Sequence, residues 1–470
     1  MEIRRMAAAL AAAAFFSGVV PAEAGWTYTE TNKVVNGVST GYLTDGIWTF
    51  GAERAKNTQN LTARANLGSC TATEPCPIDF TTLEGGYAVV TFHQLSSQHG
   101  EFVNTGRGSK LYSYRGLVSE FIAPDCVSIT GEGCFKDCAN LTKVVVNANV
   151  SIAAGRMFEN CTSLSELYPR SFSSSCGTTI FGNCTSLTGR IELTKAATLS
   201  QSLFSGCTAL EEVIATNATN VGEGCFRNCS GMTNCVFSPQ LSIVYNGAFT
   251  GCAKLQDGAI QAILASPLTQ LGKTQQKTVE GDVFSKCTGL VGPLVWNLPS
   301  LTTNAVPGDC FANCTSLSQV VFKTSVNVIY GNAFYNVAPG AELYLQDEPP
   351  GLIGRRIFTN DNPPYPRVYL RGNFEEWYAA IIRGNDYYHH IVRKADFNNT
   401  SWVSPNRPGI TWNTHAKGTM LKDTSMCVKN DDGTVKVLDK KVIAFFFYDN
   451  GKGGAWILRT PKIGLSVIVR

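Results

Sequence analysis

Between residues 112 and 345 the apolar positions of the chain fall into a repeating frame, F-x-x-C-x-x-[LM]. It is complete at Phe135, Phe158, Phe181, Phe204, Phe226, Phe249, Phe284 and Phe311. The interval is 23 residues, apart from one of 22 and two longer ones of 35 and 27. Tyr112, Arg115 and Val118 keep the frame on one side, and Phe334, Val337 and Gly340 keep it on the other. A fixed period of this length predicts a solenoid, here of about ten coils.

Within a coil the period changes after the leucine. Leu141 is followed by Val144 and Val146, Leu210 by Val213 and Ala215, and Leu317 by Val320 and Phe322. A period of three giving way to a period of two predicts a helical or 3-10 turn running into a strand. Val150/Ile152 and Leu241/Ile243 give a further inward pair upstream of their phenylalanines. Apolar residues thus line each coil's inner side, and only neighbouring coils can bury them.

The same register fixes the other side of the strand. If residues three and five after the leucine slot point inward, residues two and four face out. These are Glu120/Ile122, Lys143/Val145, Glu166/Tyr168, Glu212/Ile214, Asn234/Val236 and Gln319/Val321. One row is mostly polar or charged. The other is almost wholly apolar and includes Tyr168, an aromatic of the kind that anchors interfaces. Contiguous exposed apolar rows mark contact surfaces, so these residues from Lys143/Val145 onward are the candidate partner-binding site.

Units such as "VSITGEGCFKDCANLTKVVV" and "LSIVYNGAFTGCAKL" resemble the BspA-like (Treponema-type) leucine-rich repeats of bacterial secreted and surface proteins. The resemblance covers roughly half of the chain. It implies a leucine-rich-repeat solenoid, a right-handed coil of parallel strands with short helical turns. It also implies adhesion or protein binding, without catalytic residues.

Outside the repeats, residues 25–111 carry short β-type runs, "GIWTF" and "YAVVTF", and read as a β-rich amino-terminal cap. The insertion "DGAIQAILASPLTQLGKT" predicts a short helix ending at Pro267. Residues 346–395 read as a carboxyl cap of strand plus helix, with Asn373 as N-cap, Glu376 at the capping-box position and Gly384 after the end. Residues 396–470 read as a small β-rich domain in which "KVLDKKVIAFFFYDNGKGGAWILRT" is a hairpin signal.

The amino terminus adds a compartment. Arg4 and Arg5, an apolar run from Met6 to Val20 and Ala22-Glu23-Ala24 form a three-part secretory signal over residues 1–24, with cleavage expected before Gly25. No later stretch approaches the roughly 20 apolar residues of a membrane span. A secreted, periplasmic or cell-surface location follows. The net charge of +3 hides an asymmetry. Residues 351–470 hold 18 Lys and Arg against 10 Asp and Glu, a net +8, which leaves −5 for residues 25–350.

Cysteine raises the chemical question, since eight of the 17 occupy the repeat slot. "CFKDC", "CFRNC" and "CFANC" are C-x-x-x-C pairs, yet residues 112–345 contain no histidine to complete a zinc site. A small, weakly polar thiol suits a dry stack, so the repeat cysteines and Cys134, Cys225 and Cys310 are read as core filling. In an oxidising compartment the expected disulfide is Cys70 with Cys76, outside the stack. The sequons at Asn160, Asn183, Asn228 and Asn313 are by-products of the repeat.

Other motifs lack their context. "GVSTG" at 37 matches the hydrolase G-x-S-x-G, but nothing helical follows it. Gly272-Lys273-Thr274 would end a phosphate loop, but Pro267 stands where its first glycine belongs. His93, His99, His389, His390 and His415 form no metal motif. The function expected is macromolecular recognition or adhesion through the solenoid sheet, with no cofactor, metal or nucleic acid. The alternative is carbohydrate binding on Trp377, Trp402, Trp412 and Trp456, which lie beyond the repeats. The two caps point to a monomer.

Overall fold

The computed structural model describes residues 25–35, 38–93, 110–152, 154–170, 177–275 and 278–345, and beyond these only the backbone of six strands. The leader 1–24, the segment 373–384, Trp377, Trp402, His99, His389 and His390 lie outside the described residues. The chain divides into two units, Met1–Ser238 and Pro239–Arg470. Its repeats form a β-solenoid of about nine turns with little helix, behind a β-rich amino-terminal region.

In the first unit the amino-terminal strands are β1 (Thr27–Val35), β2 (Val38–Thr44), β3 (Trp48–Ala55), β4 (Asn60–Cys70), β5 (Cys76–Asp79) and β6 (Ala88–His93). The repeat strands that follow are β7 (Val118–Ala123), β8 (Ser128–Thr130), β9 (Lys143–Val146), β10 (Glu166–Tyr168), β11 (Gly189–Glu192), β12 (Thr198–Leu199), β13 (Leu210–Ala215), β14 (Asn220–Val221) and β15 (Asn234–Phe237). Strands β1 to β4 pair antiparallel, and β4, β6 and β8 continue the same sheet in parallel. On the other side β5, β7, β9 and β10 form a parallel sheet, and β11, β13 and β15 a second one. The cap and the first coils therefore share both sheets.

Each repeat turn has a local cause. The cysteine N–H donates to the carbonyl of the phenylalanine three residues back, as Cys161 does to Phe158 at 3.1 Å, which is a 3-10 turn. The residue before the cysteine is left-handed: Asp137, Asn160, Asn183, Asn228 and Asn313 have φ of 60°, 63°, 59°, 60° and 61°. Asparagine, aspartate and glycine tolerate that region best, which explains the N-C pair of the repeat. The phenylalanine N–H reaches the next coil, Phe158 to the Ile180 carbonyl at 2.8 Å. Adjacent coils are thereby stitched at the turn as well as along the sheets.

Burial completes the picture. Phe135, Phe158, Phe181, Phe204 and Phe226 are buried and stack, successive ring centroids being 5.5, 5.6, 5.4 and 5.8 Å apart. Each such pair contributes about 0.5–1.5 kcal/mol beyond its area. In the frame of residue 112 a 3-10 segment, Lys110–Leu117, leads into β7, and buried Arg115 takes the cysteine slot and pairs with Asp137. Val150 and Ile152 point inward as expected.

The second unit repeats the scheme. Phe249, Phe284, Phe311 and Phe334 stack at 5.6, 5.4 and 5.3 Å. Leu294–Trp296, Gln319–Phe322, Glu342–Tyr344 and Arg367–Leu370 pair in parallel. Lys452–Arg459 pairs with Arg367–Leu370 in parallel and with Val442–Asp449 as a hairpin. The long insertion carries helix α1 (Asp257–Leu264), three residues short of Pro267. Ile243 corrects one expectation. It is half-exposed and Val244 is buried, because Leu241 lies outside the two-residue strand, where the period of two does not hold, and the inward step there is three residues.

Candidate functional site

The outer side of the parallel sheets in the first unit carries two rows. In the first sheet Glu120 pairs with Lys143, and Lys143 with Glu166. Alongside run Asp79, Ile122, Val145 and Tyr168. In the second sheet Glu212 pairs with Asn234, and Ile214 with Val236. The alternation of buried and accessible residues follows the pleat: Val144, Val146, Leu167, Val213 and Ala215 are buried between them. Every predicted site residue of this unit stands on the accessible side.

Two apolar members are well exposed, Tyr168 at 42% and Val236 at 38%. Val145 and Ile214 are half-exposed. The charged row is uneven. Burial pushes the Glu120 carboxyl up from its ordinary value; Glu166 and Asp79 add to the rise and Lys143 opposes it. The row is short of positive charge around Glu120. In the second sheet the polar groups hold one another: Asn234 donates from Nδ2 to Glu212 Oε1 at 2.7 Å, and Arg190 sits 2.7 Å from Glu192.

Arg190 and Glu192 escape the sequence register. They pair with Glu212 and Ile214 and so belong to the two rows, with Glu192 interrupting the apolar one. An extra residue at Gly189, with φ +73°, shifts the pairing, so that Ile191 and Leu193 are buried rather than residues three and five after Leu187. The signal was the glycine after the leucine slot. Arg170 lies where the two sheets meet, its carbonyl accepting the Glu192 N–H at 2.7 Å and its guanidinium donating to the carbonyl of Ser165 at 3.2 Å.

In the second unit Gln319 and Val321 stand on the accessible side beside Glu342 and Tyr344, whose hydroxyl donates to Glu342 Oε2 at 2.9 Å. Among the aromatics of the carbohydrate alternative, Trp412 and Trp456 are described by backbone alone.

The repeat cysteines are buried thiols. Cys161, Cys184, Cys207 and Cys229 donate through Sγ to the carbonyls of Phe135, Phe158, Phe181 and Phe204 at 3.0, 3.2, 3.0 and 3.0 Å. The cysteine thus fills the stack and also caps a carbonyl of the preceding coil. Burial pushes these thiols far from the thiolate form. Ser39 of the G-x-S-x-G stretch lies buried near the start of β2, which is followed by strand β3 and not by the helix of a nucleophile elbow.

The BspA type leucine-rich repeat region matches the chain in six copies, over residues 107–213, 174–291 and 265–362. No curated protein matches it. Among solved structures, a leucine-rich repeat protein of T. pallidum is 17% identical, with 52% of this chain and 89% of that one covered and a TM-score of 0.30. A leucine-rich repeat protein from Bacteroides ovatus is 16% identical, covering 75% and 98% at a TM-score of 0.37. A leucine-rich cell surface protein from Faecalibacterium prausnitzii is 16% identical, covering 72% and 97% at 0.31.

Proposed function

Because the chain belongs to the BspA-type leucine-rich-repeat family, we propose that it is an exported, non-catalytic recognition protein that binds a polypeptide along the outer sheet face of its first unit. The observation that carries this reading is the accessible apolar row of Val145, Tyr168, Ile214 and Val236 beside the charged row of Lys143, Glu166 and Glu212. Apolar anchors beside charged groups suit an interface: burial of the first supplies affinity, and the second set orientation and association rate. Gln319 and Val321 carry the corresponding positions in the second unit.

Export rests on the leader-like residues 1–24. Among the described residues no helix is long and apolar enough to cross a membrane. The test is to offer the chain from Gly25 onward to a cell-surface extract divided into protease-treated and glycosidase-treated halves. A ligand abolished by protease and indifferent to glycosidase supports the reading. A ligand that survives protease and is lost with the glycans replaces it with carbohydrate binding.

A further inference from the structure

Cys70 and Cys76 differ from the stack cysteines. The stack thiols donate to backbone carbonyls, whereas these two are in thiol-to-thiol contact, close to the buried ring of Trp48. Cys70 ends β4, a strand of the sheet that begins the cap, and pairs with Trp48 of β3. Cys76 opens β5, the edge strand of the outer parallel sheet, and pairs with Val118 of β7. Only the five residues Thr71-Ala72-Thr73-Glu74-Pro75 separate them.

We propose that Cys70 and Cys76 form a disulfide in the mature chain, which pins edge strand β5, and with it Asp79 at the end of the outer face, to the cap sheet. An oxidising environment is part of the export reading above, but the thiol contact is independent of it. The oxidant is a disulfide, either of a thiol–disulfide oxidoreductase or of a small thiol such as glutathione. One cysteine thiolate attacks a sulfur of that disulfide, forming a mixed disulfide and expelling one reduced thiol. The second cysteine, as thiolate, then attacks the chain sulfur of the mixed disulfide and expels the second. Two chain thiols are oxidised, one partner disulfide is reduced to two thiols, and the two chain protons pass to the products.

The fold also fixes when this happens. Burial raises both thiols, Cys76 to about 12, so the folded, reduced pair offers little thiolate at neutral pH. Before β5 packs the thiols have ordinary acidity and their short spacing keeps them close. Oxidation therefore belongs to the folding chain.

The experiment uses the chain from Gly25 onward, refolded in an oxidising glutathione buffer so that the result does not depend on export. Free thiols are alkylated under denaturation, and the peptides are read by mass spectrometry before and after reduction. The expected result is a single peptide holding both cysteines that takes up alkyl groups only after reduction, while the stack cysteines are alkylated at once. Alkylation of both before reduction, or bonding of either to another cysteine, overturns the proposal. Melting of Cys70→Ser, Cys76→Ser and the double variant gives a second readout. All three fall by the same few degrees below wild type in oxidising buffer and lie close to it in reductant. A wild-type midpoint indifferent to reductant overturns the proposal as well.

Discussion

Asn183 donates its side-chain amide to the side-chain carbonyl of Asn160, one coil back, at 2.9 Å, and Asn160 donates in turn to Asp137 Oδ1 at 2.6 Å. Arg115 closes the row by pairing with Asp137. The same left-handed turn that selects asparagine for its backbone thus aligns the amides into a ladder between coils. The ladder stops at Gly206, where an added Cβ would lie 2.2 Å from Asn183 Oδ1.

Asn160→Ala removes two rungs and leaves a residue with a Cβ at φ 63°. We expect a loss of about 1–3 kcal/mol, read from the urea midpoint. Asn160→Gly loses the same rungs without the backbone strain and costs less. Equal effects of the two substitutions would mean that the left-handed turn is not selecting the residue.

Gly206→Ala combines the contact with Asn183 and a backbone at φ +79°. It should cost about 1–3 kcal/mol by the same assay. A neutral result would show that the Asn183 amide swings away freely and that the ladder end carries no stability.

Cys161→Ala opens a small cavity and removes the thiol bond to Phe135, for a loss of about 1–3 kcal/mol. Because burial holds the pKa of the Cys161, Cys184 and Cys229 thiols well above the ordinary value, iodoacetamide at mildly alkaline pH should label them only after denaturation. Prompt labelling of the native chain would contradict the dry stack.

Glu120 gives a pH prediction. Its carboxyl is raised in the folded chain, so the fold holds that proton more tightly than the unfolded chain does. Stability then falls as pH rises from the ordinary carboxyl range through the raised value. Glu120→Gln should therefore melt above wild type at neutral pH, and the gap should close as the pH drops below the ordinary carboxyl range. A gap independent of pH, or of the opposite sign, would place the cause elsewhere.

The repeat and its register were legible because a solenoid writes its fold locally: the phenylalanine, cysteine and leucine slots recur, and a strand alternates with period two. Lys143, Val145, Glu166, Tyr168, Glu212 and Ile214 fall where that alternation puts them. Arg190 and Glu192 do not, since one added residue at Gly189 flips every side chain after it. The asparagine ladder and the thiol-to-carbonyl bonds were illegible for another reason. Both join residues 23 to 26 positions apart, through geometry that exists only once the coils are stacked. The residue types were visible, but their partners were not.

The recognition reading is tested most directly by lysine substitution on the outer face. Tyr168→Lys and Ile214→Lys place charges in the apolar row of the first unit, and Val127→Lys, at an apolar residue that is 43% exposed outside the strands of either outer sheet, is the control. With the fold verified by circular dichroism, affinity is measured for the polypeptide captured by the chain from Gly25 onward. The account predicts that the double variant loses at least about tenfold in affinity, as for anchors at an interface centre, while Val127→Lys binds as wild type. Binding by the double variant within about twofold of wild type, below the cost of losing even one anchor, would contradict it.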